Sequence, residues 1–266
     1  MGDDQGGVLM RDVAGRERSE IVRRGDLYEL EVPSVGMSLR NLAPGGAITA
    51  LADALHQTEI GVIVVDATRG PTPTVREHIL VARQARTPML AVMIANVERL
   101  YQKAGEESDE LLALEIAEIR ELLTAYELDA SSVPVFYDAW PAALQSEPDA
   151  VGIFEALRAL SLFGPRRAGV GPSQSANAIW GAVYLLSELE TDGQVGVLSP
   201  NDTLVVWSEG AHAEATLASR SDYNPGDFRE MPLSLATPLE VREGSRLLLV
   251  RAERVVGLGV VTQIGR

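Results

Sequence analysis

The residue types that could do chemistry are few in this chain and lie far apart. It has one lysine, Lys103, no cysteine, and three histidines, His56, His78 and His212. A loop that cradles nucleotide phosphates follows G-x-x-x-x-G-K-[ST]; its amides and lysine neutralise the phosphates and its hydroxyl holds magnesium. Lys103 runs into Ala104-Gly105-Glu106-Glu107 and cannot serve in such a loop. The histidines have no partners at metal-ligand spacing. His78 lacks a neighbouring serine elbow, cysteine or paired carboxylate and reads as a surface or interfacial residue, with a general base as the alternative. Asp66 closes an apolar run and reads as a loop-capping carboxylate, with a metal ligand as the alternative. No catalytic residue and no metal site is expected.

The elements that position these residues fall into two styles. Met1 to Gly25 mixes glycine, arginine and acid with little apolar periodicity and reads as a weakly ordered lead-in, 1–26. Leu27–Val32 alternates apolar and polar as a half-exposed strand does, and Met37–Leu42 can partner it. Pro44-Gly45-Gly46 breaks the chain before Ala47–Thr58, where Ile48, Leu51, Ala52 and Leu55 recur at helical spacing. Gly61–Val65 and Pro88–Ile94 are continuous apolar runs of the kind buried on both faces of a parallel sheet. Between them Thr74 and Glu77 stand at capping-box spacing before a helix. From Ser108, the series Leu112, Ile116, Ile119, Leu123 and Tyr126 marks a long amphipathic helix, whose acidic start Glu106 to Glu110 suits the helix dipole. Val133–Tyr137 reads as a short strand and Ile153–Leu162 as a closing helix. Alternation of strand and helix predicts a doubly wound, mostly parallel α/β domain over 27–163.

Residues 164–175 have the glycine, proline and arginine content of a linker, with Arg166-Arg167 as its positive spot. Over 176–266 the pattern changes to short strands separated by turn signals such as Asn224-Pro225-Gly226-Asp227, the signature of a small antiparallel β-barrel. Trp140, Trp180 and Trp207 each adjoin a predicted strand and read as packing residues, with binding anchors as the alternative.

Composition removes several function classes. With 38 acidic against 23 basic residues the formal net charge is −15, which repels a phosphate backbone and argues against nonspecific nucleic-acid binding. Absence of cysteine removes disulfides, thiolate catalysis and cysteine zinc sites. No apolar run is long enough to span a bilayer, and Met1 to Gly7 lacks the basic-then-apolar order of a signal peptide, so a cytoplasmic protein with no membrane partner is expected.

The run Val64-Val65-Asp66-Ala67-Thr68-Arg69-Gly70-Pro71-Thr72-Pro73-Thr74-Val75-Arg76-Glu77-His78-Ile79-Leu80 resembles the strand, loop and helix after the second switch of elongation factor Tu, a translational GTPase. Glu110 to Tyr126 continues the likeness. Ala182–Ser187, Asn224–Asp227 and Val256–Val261 resemble the family's third domain. The resemblance implies a GTPase-like α/β domain followed by a β-barrel, with the middle barrel missing. The family's D-x-P-G-H switch falls on Asn41-Leu42-Ala43-Pro44-Gly45-Gly46, without the aspartate or the histidine. Its guanine-reading N-K-x-D falls on Ala95-Asn96-Val97-Glu98, and its serine-alanine pair on Ala139-Trp140. Asn96, Glu98 and Ala139 are therefore expected to be degenerate guanine-site positions that bind no cofactor. What the resemblance implies is a pseudo-GTPase that acts as a non-catalytic interaction or regulatory module linked to translation. Its expected partner is a protein such as the family's exchange factor, with transfer RNA left open. The alternatives are a weak GTP-binding or GTP-hydrolysing protein, with GTP and magnesium as cofactors, and a truncated remnant.

Overall fold

The computed structural model describes residues 5–138, 152–162, 171–191, 193 and 195–265. In chain order the elements are α1 (Gln5–Glu17), β1 (Val22–Arg24), β2 (Leu27–Val32), β3 (Met37–Leu42), α2 (Ile48–Gln57), β4 (Ile60–Asp66), α3 (Pro73–Gln84), β5 (Met89–Ala95), α4 (Val97–Ala104), α5 (Ser108–Ala125), β6 (Val135–Tyr137) and α6 (Ile153–Ser161). After them come β7 (Gln174–Leu185), β8 (Thr203–Ser208), β9 (Ala211–Leu217), β10 (Phe228–Val241), β11 (Arg246–Arg251) and β12 (Arg254–Gly265). Two compact units form: one from residues 1–46, 58–80 and 87–167, the other from 47–57, 81–86 and 168–266.

The first unit holds two three-stranded sheets. β1, β2 and β3 make an antiparallel meander, and β4, β5 and β6 a parallel sheet in that order. β5 lies at the centre of its sheet and is buried from Leu90 to Ala95, as its unbroken apolar run requires. Two clusters form the core. Leu9, Ala91, Met93, Ala95, Phe136 and Leu160 make one, Met10, Val13, Leu30, Val32 and Leu157 the other, and Met37 and Ile153 pack against both.

Helix α1 corrects the expectation of a weakly ordered lead-in. Leu9, Met10 and Val13 present a narrow apolar stripe that is buried against both clusters, although Gly6, Gly7 and Gly15 and the flanking charges hide it in the sequence. Gly6 has a packing reason: a Cβ there would lie 2.6 Å from Asn41 Oδ1. Helix α4 went unread too, because Val97 and Leu100 alone mark its buried side.

The second unit is a closed antiparallel barrel, β10-β7-β12-β11-β8-β9, with α2 and the last turn of α3. Its interior is filled by side chains such as Ile179, Leu185, Val206, Leu217, Met231 and Leu249, each almost fully buried. Gly259 is required by close approach, since a Cβ there would come within 2.5 Å of the Ala182 carbonyl oxygen. The turn Asn224 to Asp227 is closed twice: the Asp227 amide donates to the Asn224 carbonyl at 3.0 Å, and the Asn224 amide to Asp227 Oδ2 at 2.8 Å.

Two boundaries differ from the sequence reading. β7 begins at Gln174, inside the stretch expected as linker, because Gln174 and Ser175 already pair with Val241 and Glu240. Helix α2, expected inside the α/β domain, groups with the barrel: the Trp207 indole N–H donates to Asp53 Oδ1 at 2.7 Å, and His56 stands edge-on to the Trp207 ring at 5.8 Å. Arg166, Arg167, Ala139 and Trp140 lie outside the described residues.

Candidate functional site

In a parallel α/β sheet the carboxyl ends of the strands open toward helix N-termini, and ligands bind there. β4 ends at Asp66, β5 at Ala95 and β6 at Tyr137; Asp66 pairs with Ala95 and Ile94 with Tyr137. The register therefore sets Asp66, Asn96 and Asp138 side by side along one edge of the sheet. An open cleft of about 330 Å³ lies there, lined by Asn96, Glu98, Arg99, Gln102 and Asp138.

Asn96 turns the chain from β5 into α4 in the left-handed conformation, with φ 61° and ψ 29°. Asparagine tolerates that region better than most residues. The turn aims the backbone and the side chain at different partners. The Asn96 amide donates to Asp138 Oδ2 at 2.6 Å and the Val97 amide to Asp138 Oδ1 at 3.3 Å. Asp138 thus satisfies orphan donors at the start of α4 and sits where the helix dipole favours negative charge.

The Asn96 side chain instead donates to Asp66 Oδ2 at 3.0 Å. The same oxygen accepts from Gln5 Nε2 at 3.1 Å, at the start of α1. The other Asp66 oxygen accepts from the Thr68 amide at 2.8 Å and from the Thr68 hydroxyl at 2.7 Å. Asp66 is only 6% exposed and both its oxygens are engaged. This is the loop-capping role, extended into a tie between α1, the loop after β4 and the start of α4. Within that loop the Arg69 and Gly70 amides also donate to the Asp66 carbonyl, and Gly70 takes φ 70°.

Glu115, on α5, approaches the same loop. Burial is the main force that raises its carboxyl from 4.5 to about 7, the charges of Asp66 and Glu118 add to the rise, and a hydrogen bond from the Gly70 backbone opposes it. Its Oε1 is buried with no hydrogen-bond partner among the described residues. Carboxylates from β4, α4, α5 and the residue after β6 crowd this end of the sheet.

The structure thus brings Asn96 and Glu98 to one cleft with Asp138, and Asn96 turns its side-chain amide into the network around Asp66. Glu98 lies on the exposed first turn of α4, with Gln102 Nε2 at 3.4 Å. Sequence reasoning missed Gln5, Asp138, Arg99, Gln102 and Glu115. Only the carboxyl-end rule for parallel strands could have singled out Asp138, as the first residue after β6. The histidines are elsewhere: His78 is half-buried on α3, His56 Nδ1 lies 3.2 Å from the Ala85 carbonyl oxygen, and His212 Nδ1 is 4.0 Å from Asp53 Oδ2. Trp207 is fully buried, as a packing residue is. No helix among the described residues is long and apolar enough to cross a membrane.

Residues 48–162 match the sequence family described as Elongation factor Tu GTP binding domain. The matched stretch contains β4, β5 and β6 and all of the cleft residues. Over those residues the chain is similar to the GTP-binding domain of elongation factor Tu.

Proposed function

We propose that this chain is a pseudo-GTPase: a non-catalytic relative that engages a protein partner of the translation apparatus, with the family's exchange factor as the first candidate. The observation that carries the reading is the engagement of the strand-end carboxylates. Asp66 spends both oxygens on Thr68, Gln5 and Asn96, and Asp138 spends both on the start of α4. A bound purine or hydrated magnesium would have to displace those donors. Crowding of Asp66, Asp138, Glu98 and Glu115 around one strand end also opposes a polyanion. The cleft lining sets one cation, Arg99, against Glu98 and Asp138, and the chain's one lysine, Lys103, is not among the lining residues. Each charge-assisted hydrogen bond forgone is worth roughly 1.5–3 kcal/mol, so losing several leaves little affinity.

A second reading, weak guanine-nucleotide binding, has one observation in its favour: the cleft is lined by Asn96 and Glu98, the positions that resemble a guanine-reading motif in the sequence, and with Gln102 they offer polar groups. Titration with a fluorescent GTP analogue in millimolar magnesium decides between them. The pseudo-GTPase reading expects no saturable signal below about 100 μM, which corresponds to binding weaker than roughly 5.5 kcal/mol. Saturation in the micromolar range overturns it in favour of the second.

A further inference from the structure

The two sheets of the first unit each stop at a strand with one neighbour. β3 closes the meander on the side away from β2, and β4 closes the parallel sheet on the side away from β5. Both strands lie under the same helix, since α1 packs against β2, β3 and β4. They also end at the same place. Asn41, near the end of β3, approaches Gly6, and Asp66, the end of β4, accepts from Gln5, so both carboxyl ends meet the N-terminus of α1. Met37, at the start of β3, packs against the same buried cluster as Ile60 and Val64 of β4. One core and one helix therefore span two sheets that do not pair with each other among the described residues.

The exposure of β4 marks where cover is lacking. Val62 pairs with Ala91, so Ile60, Val62 and Val64 share a face with Met89, Ala91 and Met93 of β5. On β5 that face is closed, with Ala91 at 0% and Met93 at 1% exposure, whereas Val62 is 38% exposed between two half-buried neighbours. A valine in the middle of a parallel strand, open beside a sealed neighbour, points to missing cover at the outer edge of β4.

We propose that the outer edge of β4 is a strand-acceptor site: an extended, apolar segment of about six residues from another polypeptide adds to β4 beneath α1, on the side toward β3. Only an extended chain can satisfy a row of strand amides and carbonyls, which fixes the conformation. Its length follows from β3, with six residues, and β4, with seven. Its chemistry follows from the neighbours: Ile60 to Val65 and Met37 to Leu39 carry no charged side chain, and the two charged residues of these strands, Arg40 and Asp66, are already engaged by Glu29 and by Gln5, Thr68 and Asn96, so a charged strand would bury unpaired charge. A second copy is the poorer donor, because every strand from β4 onward is already paired within its own chain. The proposal names a class of partner for an interaction module and does not depend on whether the nucleotide cleft binds anything.

The test uses the full chain and a fluorescein-labelled peptide with the core Val-Ile-Val-Thr-Val-Ile between lysine pairs, beside a control with proline in place of threonine. Proline removes a ladder donor without removing charge or apolar surface. The proposal expects saturable binding at least tenfold tighter than the control, together with slowed amide exchange across residues 60–65. Val62→Lys is expected to weaken binding at least tenfold with unchanged circular dichroism and melting, since the side chain is at the surface. Equal affinity for both peptides overturns the proposal, because attraction to lysines or grease would explain it. Slow exchange of 60–65 without peptide, in a chain that sediments as a dimer, also overturns it and makes a second copy the occupant.

Discussion

Asn96 and Asp66 come from the ends of adjacent strands and share a 3.0 Å hydrogen bond that ties the loop after β4 to the start of α4. Asp66 is the hub, since it also accepts from Gln5 and Thr68. Asn96, which lines the cleft, is therefore also committed to holding the fold. Asp66→Ala is expected to cost about 2–4 kcal/mol in urea unfolding, because several buried donors lose their acceptor together. In a double-mutant cycle with Asn96→Ala the coupling should be about 1 kcal/mol or more, as for residues in one network. Additive effects would mean the two act separately.

Glu115 makes stability depend on pH near neutrality. Its carboxyl titrates at about 7 in the folded chain against 4.5 as the ordinary value, so ionisation is harder folded than unfolded. The folded state is unpenalised below about 4.5, loses stability as pH rises toward 7, and carries the full penalty above. Glu115→Gln removes the ionisation. The variant should match the parent near pH 4.5 and exceed it by about 1–2 kcal/mol at pH 8, after allowing for solvent screening. Denaturant midpoints of both proteins at the two pH values measure the difference, and an advantage of the variant over the parent no larger at pH 8 than at pH 4.5 contradicts the assignment.

Helix α1 offers a test in the stabilising direction. Gly15 lies inside it, and a Cβ there would meet nothing within 4 Å. Gly15→Ala should raise stability by about 0.5–1 kcal/mol through helix propensity, whereas Gly15→Pro should lower it by about 3 kcal/mol. Both changes would be silent if the segment were not helical.

In the barrel unit, Trp207 is fully buried and its indole N–H is spent on Asp53 of α2. Trp207→Phe keeps much of the packing and leaves Asp53 without that donor. A loss of about 1–3 kcal/mol is expected, and Asp53→Asn, which retains an acceptor, should lose less. Thermal melts of the two variants rank them.

Gly259→Ala would place a methyl 2.5 Å from the Ala182 carbonyl oxygen, a backbone atom held between β7 and β12. Backbone yields less than a flexible side chain, so overpacking should cost about 1–3 kcal/mol. Denaturant unfolding gives the figure.

What could be read from the sequence was whatever repeats locally. Gly61–Val65 and Pro88–Ile94 announced strands by unbroken apolar runs, although only the second is buried without a break, from Leu90 on, and Val62 of the first is exposed; Leu112 to Leu123 announced α5 by its spacing, and the barrel strands were marked by turn residues such as Asn224 and Gly226. Helix α1 stayed hidden because its stripe is three residues wide among glycines and charges, and it becomes stable only when Leu9, Met10 and Val13 find two clusters to enter. The site was hidden for a different reason. Asp66 and Asn96 could be singled out one at a time, but Gln5, Asp66, Asn96 and Asp138 are separated by tens of residues and nothing local says that they meet.

Periodicity of apolar residues, read along the chain, determined the architecture, because burying a face of a strand or helix imposes its own repeat of two or of 3.6. Tertiary structure alone decided that Asp66, legible as a loop cap, also ties α1 to the start of α4, that Asp138 holds α4, that Glu115 is pressed against both the loop and its charge, and that α2 sides with the barrel. Those are meetings of residues from different strands and helices, and parallel register at one end of a sheet is what brings them within hydrogen-bonding distance.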